Sequence, residues 1–371
     1  MKKEKEKHNG QSWAVMAFFV LLGGICGVFV GRALGDEGWS FPLLLAFIVG
    51  VCVSLFLHLV VHEAGHLVFG LLSGYRFSSF RVGSFLWIEE DGKLVLRKLR
   101  IAGTGGQCLM APPELRDGKI PVVLFNLGGC ILDAVFSGAC FILYLLAPEG
   151  PVSVFLLALV LIGVVMVLTN GIPLRQGLVD NDGCNALSLR KDPAAMRAFW
   201  VQLKVNDQVA RGARLKDLPD GWFEAPPDGA MGNSMVAAQG VFVTNRLMDQ
   251  HRFEEAEQLI GHYLQIDSRI VGLHRGLMIC DRIFCQLLRE ERPEVVDGLR
   301  TKEQDKFMKT MKSYPAVLRT EYVWALLRQK DAAAAEAVAR AFEKVAKTYP
   351  YPSDIQAERE LMQIARDRAG A

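Results

Sequence analysis

The sequence predicts a mainly α fold: a polytopic membrane protein with about four transmembrane helices, a β-hairpin after the second, and a C-terminal domain of helical hairpins. Three observations carry this reading. Almost all long apolar runs lie before about residue 172. After about residue 184 the apolar residues become periodic and charges return. Within the N-terminal half, Glu90-Asp91-Gly92 joins two β-prone runs, and Asp-Gly between such runs is a strong hairpin signal. The expected division is a membrane domain over residues 1–190 and a cytoplasmic helical domain over residues 191–371.

Averages over the chain hide this split. The 371 residues are 51% hydrophobic and 22% charged, with a mean hydropathy of +0.22. A net charge of +2, from 42 Lys+Arg against 40 Asp+Glu, gives no basic field. That argues against nucleic acid as a partner. Eight cysteines in a chain of this length are no disulfide framework, and none falls in C-x-x-C, so a cysteine metal site is not expected. Cys26, Cys52, Cys130 and Cys140 lie in apolar runs and read as small hydrophobes.

Four runs are near or above the ~20 residues that a helix needs to cross a bilayer: Trp13–Gly31, Pro42–Leu72, Ile120–Leu146 and Val152–Thr169. The first follows a lysine-bearing flank, Met1–Lys7, but exceeds the ~7–15 residues of a signal-peptide core, so it reads as an uncleaved span. Basic residues set the orientation. Lys2, Lys3, Lys5 and Lys7 precede the first run, and Arg76, Arg81, Lys93, Arg97, Lys98, Arg100, Arg116 and Lys119 lie between the second and third. The short 35–41 connection carries Asp36 and Glu37 and no base. The N-terminus, the 74–119 loop and everything after about residue 172 are therefore expected in the cytoplasm. In that loop the hairpin arms read as Phe80–Ile88 and Lys93–Ile101, with Phe85, Leu86 and Trp87 suited to a membrane interface.

The second run contains His62-Glu63-Ala64-Gly65-His66, which is H-E-x-x-H. Residues four apart share one helix face, so both imidazoles can ligate one Zn²⁺ while the intervening glutamate polarises its water. Ionisable groups in a membrane span are costly and default to a functional reading. The motif lies some 20 residues, or ~30 Å, past Pro42, which places it nearer the cytoplasmic face. His58, one turn earlier on the same face, reads as a supporting or core residue. A catalytic zinc takes three protein ligands and keeps one open position. The candidates for the third are Asp133, Asp180 and Asp182. The last two follow Asn170-Gly-Ile-Pro173, where Pro173 ends or kinks the fourth span and lets the chain fold back.

H-E-x-x-H in a membrane helix, followed after two spans by N-x-x-P and then D-G, resembles the site-2 protease family of intramembrane zinc metalloproteases. The resemblance covers about residues 42–190. It implies zinc on His62, His66 and Asp182, with Glu63 as general base. The family's G-x-x-x-N element is matched by Gly129 to Asp133, with Asp in place of Asn, so Asp133 stands both as a substrate or oxyanion contact and as a rival ligand. The gap from Pro173 is longer than in the commonest family form, so Asp180 remains an alternative to Asp182. Asn170 is assigned either to substrate and oxyanion or to capping the broken helix end. The β-hairpin also matches the family's architecture, where such strands are thought to present substrate. The implied activity is regulated intramembrane proteolysis of membrane-spanning or leader-type substrates near the cytoplasmic face.

In the C-terminal half, a helix is expected from Asp192 to Val209, starting at Asp192-Pro193. A Pro- and Gly-rich loop follows over Leu218–Asn233. Phe253–Leu264 and Asp331–Tyr349 resemble the second helices of tetratricopeptide-type repeats. Stacked hairpins of this kind make grooves for a peptide or protein partner. Two rival expectations stand beside the protease. One is a catalytically silent membrane scaffold that recruits partners through this domain. The other is a different membrane metalloprotease with Glu89, Glu90 or Glu114 as third ligand.

Overall fold

Proline sets where the long apolar helices begin. Pro42 and Pro151 occupy the first turns of two of them, and Pro121 precedes a third, positions where a missing N–H costs nothing. In the computed structural model, residues 20–32, 40–90, 92–99, 105–173, 175–176, 179–289 and 293–370 are described. They divide into two units: Met1–Ser73 with Pro121–Ser188, and Gly74–Ile120 with Leu189–Ala371.

The first unit contains α1 (Val20–Arg32), α2 (Phe41–Leu72), α3 (Val122–Leu146), α4 (Pro151–Gly171) and the short α5 (Asp182–Ser188). Three of these, α2, α3 and α4, are long and apolar enough to cross a membrane. The first expected span differs. Its residues 13–19 lie outside the described residues, and α1 as described is shorter than the ~20 residues a crossing needs. The N-terminal lysines, Asp36 and Glu37, on which the expected orientation partly rests, also lie outside the described residues.

The three long helices pack each against the other two, and α5 folds back onto α3 and α4. Their polarity is inverted relative to a water-soluble bundle. The buried face of α2 is small or polar: Gly50, Ser54, His58, His62, Glu63, Gly65, His66 and Gly70. Its exposed face carries Leu45, Ile48, Val49, Leu55 and Phe56. On α3, Asn126, Asp133 and Ser137 are buried while Val135, Ile142, Leu143 and Leu145 are exposed. Hydrocarbon outside and ionisable groups inside is the arrangement a bilayer selects. Close approach supplies the packing. A Cβ on Gly65 would lie 2.3 Å from the Gly128 carbonyl oxygen, so α2 and α3 meet backbone to backbone only because both residues are glycine.

The second unit opens with a four-stranded antiparallel sheet, β1 (Arg76–Val82), β2 (Phe85–Glu90), β3 (Lys93–Lys98) and β4 (Gly106–Ala111), in the order β3-β2-β1-β4. The expected β2–β3 hairpin is present, with Phe85 opposite Lys98 and Glu90 opposite Lys93. Its first arm was expected to start at Phe80, whereas Phe80 belongs to β1. Gly83, at φ 59°, turns the chain there, and Val82 pairs with Phe85 across a second tight turn. Ile101 lies outside the described residues. Phe85, Trp87, Leu94 and Leu96 share an exposed face, while Leu86 and Ile88 are buried on the other.

The sheet groups with the C-terminal half rather than with the long apolar helices, unlike the division expected at residue 190. The reason is contact with α6 (Pro193–Ala210), which packs on β1 and β4. Trp200 Nε1 donates to the Pro113 carbonyl at 2.9 Å, and Lys204 Nζ pairs with Glu114 at 2.6 Å. Asp192 caps α6 by accepting from the Ala195 N–H, as its position before Pro193 suggests. After a loop that buries Met231 and Phe223 come α7 (Ser234–Asp249), α8 (Phe253–Gln265), α9 (Gly272–Arg289), α10 (Pro293–Leu299), α11 (Lys302–Thr310), α12 (Pro315–Val323), α13 (Ala332–Ala346) and α14 (Pro352–Gly370). Neighbours in sequence pack as hairpins, α7 with α8, α8 with α9 and α12 with α13. Their principal core runs through Ile283, Phe284, Val323, Phe342 and Ala365.

Candidate metal centre

His58, His62 and His66 follow one another at successive turns of α2, all on its buried face. Each ring is fixed by an oxygen from a neighbouring helix. His66 Nδ1 lies 2.8 Å from the Phe125 carbonyl of α3. A carbonyl only accepts, so that nitrogen carries the proton. His62 Nδ1 lies 2.8 Å from Asp133 Oδ2, which likewise calls for a proton on Nδ1. A ring that carries this one proton alone presents the Nε2 lone pair on its other side.

Those lone pairs converge with a carboxylate. His62 Nε2 is 3.0 Å from Asp182 Oδ2, His66 Nε2 is 3.5 Å from the same oxygen, and the two Nε2 atoms are 3.2 Å apart. With both rings neutral, three acceptors face one another without a donor, and either a proton on Nε2 or a metal cation between them relieves that repulsion. The donor set thus fits a metal ion. Cys130 Sγ forms an overlapping set, its ligand atom and those of His62 and Asp182 all lying within 4.8 Å of one another.

Asp133 of α3 serves both upper histidines. Its Oδ2 takes His62, and its Oδ1 lies 2.8 Å from His58 Nδ1. The other nitrogen of His58 lies 3.0 Å from the Leu159 carbonyl of α4. His58 thus has oxygen at both nitrogens and braces the site from behind. Asp133, expected as rival ligand or oxyanion contact, has both oxygens directed at Nδ1 atoms instead. Gly129 makes room for this. A Cβ there would fall 2.6 Å from His62 Cε1.

Asp182 arrives by a route the local sequence explains. Pro173 prevents α4 from continuing past Gly171. The chain then turns through a short antiparallel pair, β5 (Arg175–Gln176) and β6 (Val179–Asp180), and returns at α5. Asn181 ties the two ends together. Its Nδ2 donates to the Thr169 and Ile172 carbonyls at 2.7 and 2.6 Å, and its Oδ1 accepts from the Cys184 N–H at 2.9 Å. That caps α5 and anchors it to the end of α4. Gly183 permits the contact, since a Cβ there would lie 2.1 Å from the Gly171 carbonyl oxygen.

The remaining expected residues fall as follows. Glu63 is buried beside His62 on α2. Asp180 sits in β6, opposite Arg175, and is not among the clustered ligand atoms of the described residues. Asn170 donates its amide to the Met166 carbonyl at 3.0 Å within its own helix, so the capping task proposed for it is done by Asn181. Glu89 and Glu114, the ligands of the rival metalloprotease reading, pair with Arg211 and Lys204 in the second unit. The side chain of Glu90 lies outside the described residues. Two residues at the site were not foreseen. Cys130 looked like one more small apolar residue of its run. Asn181 did carry a signal, as an N-cap residue directly before Asp-Gly.

The chain matches no protein-family model, no curated protein and no solved structure.

Proposed function

We propose that this protein is an intramembrane zinc metalloprotease of the site-2 type, cutting membrane-spanning or leader-type substrates near the cytoplasmic face of the membrane in which α2, α3 and α4 lie. One observation carries the reading: two Nε2 atoms and one carboxylate oxygen converge 3.0–3.5 Å apart among helices with apolar outer faces. Two atoms bonded at ~2.0–2.1 Å to a tetrahedral ion stand ~3.3 Å from each other, and His₂-carboxylate with one open position is a catalytic zinc donor set. His62, His66 and Asp182 would hold the ion. Bound there, zinc supplies a Lewis acid that polarises the scissile carbonyl and acidifies water at the open position.

The chain's own residues do the rest. Glu63, next to His62, takes the proton from the attacking water and returns it to the leaving amine. Asp133 and the Phe125 carbonyl hold the two imidazoles in the tautomer that ligates. The apolar exterior keeps bulk water from the site except along a polar interior. The N-terminus and the C-terminal helical domain are assigned to the cytoplasm, where that domain receives a protein or peptide partner.

The test is Glu63→Gln in the full chain, with bound zinc and membrane-peptide turnover measured together. Zinc should remain stoichiometric while cleavage disappears. Unchanged cleavage sinks the mechanism. Stoichiometric zinc in His66→Ala sinks the ligand assignment.

A further inference from the structure

The second unit contains a cavity of about 210 Å³, walled by α7, α9, α12, α14 and the loop at Arg214. Its charge is unbalanced. Asp249, Asp281, Asp354 and Glu358 line it, with Arg214 as the basic residue of the wall. The arginines at hand are already engaged. Arg214 bonds Asp249 and Glu360, the latter at 2.9 Å. Arg319, fully buried, bonds Asp281 and donates from Nε to Glu358 at 2.9 Å. Asp354, half-buried in the first turn of α14, makes no side-chain hydrogen bond with any described residue.

A second observation points into the same space. Ser353, also lining the cavity, is 5% exposed, and its hydroxyl has no hydrogen-bond partner among the described residues. A buried hydroxyl left unsatisfied in a polar cavity calls for a ligand atom. Tyr314 and Tyr349 add aromatic surface to the wall, which attracts cations as well as apolar stems. Burial pushes His274 down, so it brings no charge to the wall near neutral pH.

We propose that this cavity binds a basic side chain, arginine or lysine, of a peptide or protein partner, with its cation against the Asp354 carboxylate and Ser353 hydroxyl. The space takes one long side chain and its stem. The tyrosines contact the methylenes, and the four acids outnumber the two arginines that pair with them, leaving a net negative charge that a cation relieves. Burial and the neighbouring Glu358 and Asp249 carboxylates push Asp354 up to about 7, with Arg214 acting in the opposite sense. An arriving cation reverses that push. The site lies in the second unit and stands independently of the metal centre.

The experiment uses the full chain in detergent micelles and calorimetric titration with acetyl-Gly-Gly-Arg-Gly-Gly-amide, its lysine counterpart, and its citrulline counterpart. The blocked ends leave the side chain as the only cation, and citrulline keeps the shape without the charge. Either basic peptide should bind, with citrulline weaker by roughly tenfold or more. Asp354→Asn should weaken the basic peptide by a similar factor while the variant still unfolds cooperatively on heating. Equal binding of arginine and citrulline peptides overturns the proposal. So does unchanged affinity in a folded Asp354→Asn protein, or absence of binding by both basic peptides.

Discussion

Asp133 offers the sharpest test of how the proposed metal centre is held. His58 faces the Leu159 carbonyl with Nε2 and Asp133 Oδ1 with Nδ1, so one proton more than a neutral imidazole carries must sit among these groups. Asparagine at position 133 satisfies the same geometry without it. The amide oxygen accepts from His62 Nδ1, and the amide nitrogen donates to a neutral His58. Alanine satisfies neither contact. It frees the His62 ring, and losing such a supporting partner typically lowers metal affinity about 10–100-fold, or ~1.4–2.8 kcal/mol. It also leaves the fully buried His58 Nδ1 without a partner, at a cost of ~1–3 kcal/mol in stability. The assay is competition for zinc between the purified chain and a chromophoric chelator, with thermal unfolding of the same samples. Asp133→Asn should stay within about threefold of the parent, well short of the drop expected for alanine. If asparagine loses zinc as severely as alanine, the charge of Asp133 and not its geometry holds His62, and the proton count is wrong. If alanine loses nothing, Asp133 does not support the site.

Three further outcomes follow from the geometry of these sites. Gly129→Ala places a methyl 2.6 Å from His62 Cε1, so the ring must turn. Zinc affinity should then fall about tenfold or more by the same competition assay. Asn181→Ala removes the α5 cap and both ties to α4. The cost should be about 0.5–2 kcal/mol, read as a lower unfolding temperature together with faster zinc loss. Asp354→Asn should stabilise the chain at about pH 8 and leave it little changed at about pH 4. The folded carboxyl is raised from 3.8 to about 7, so the stability it contributes is present below its unfolded value and lost as pH rises through about 7. The neutral amide escapes that loss, worth on the order of 1–3 kcal/mol. Unfolding curves at the two pH values decide this, and a parent more stable than the variant at about pH 8 refutes it.

What the sequence revealed and what it hid have physical causes. The long helices were legible because twenty apolar residues bounded by proline are a local signal, and α2 through α4 begin and end within a few residues of the apolar runs. The shared face of His62 and His66 follows from helix periodicity alone. Pro173 brought both Asp180 and Asp182 forward as local candidates, and only the resemblance, through its D-G element, implied Asp182. Cys130 was hidden because its role depends on which helix lies opposite, and an apolar run does not say. Asp133 was visible as a costly charge, yet the two histidines that share it lie on another helix. The sheet was half read. The Asp-Gly turn marks β2 and β3, but β1 and β4 pair across more than twenty residues, and their sequences lack strict alternation. The attachment of the sheet to α6 rests on contacts such as Trp200 to Pro113, some 87 positions apart. Nothing in a local window reports a partner at that distance.

The route by which Asp182 reaches the site also orders its birth. During synthesis α2 delivers both histidines early, and α3 then supplies Asp133 and the Phe125 carbonyl that aim them. A chain that has just completed α4 still lacks the third donor, because Asp182 lies beyond the turn that Pro173 enforces and Asn181 fastens. A nascent chain that ends at α4 therefore lacks one of the three proposed donors, and the full set exists only once translation has passed residue 182.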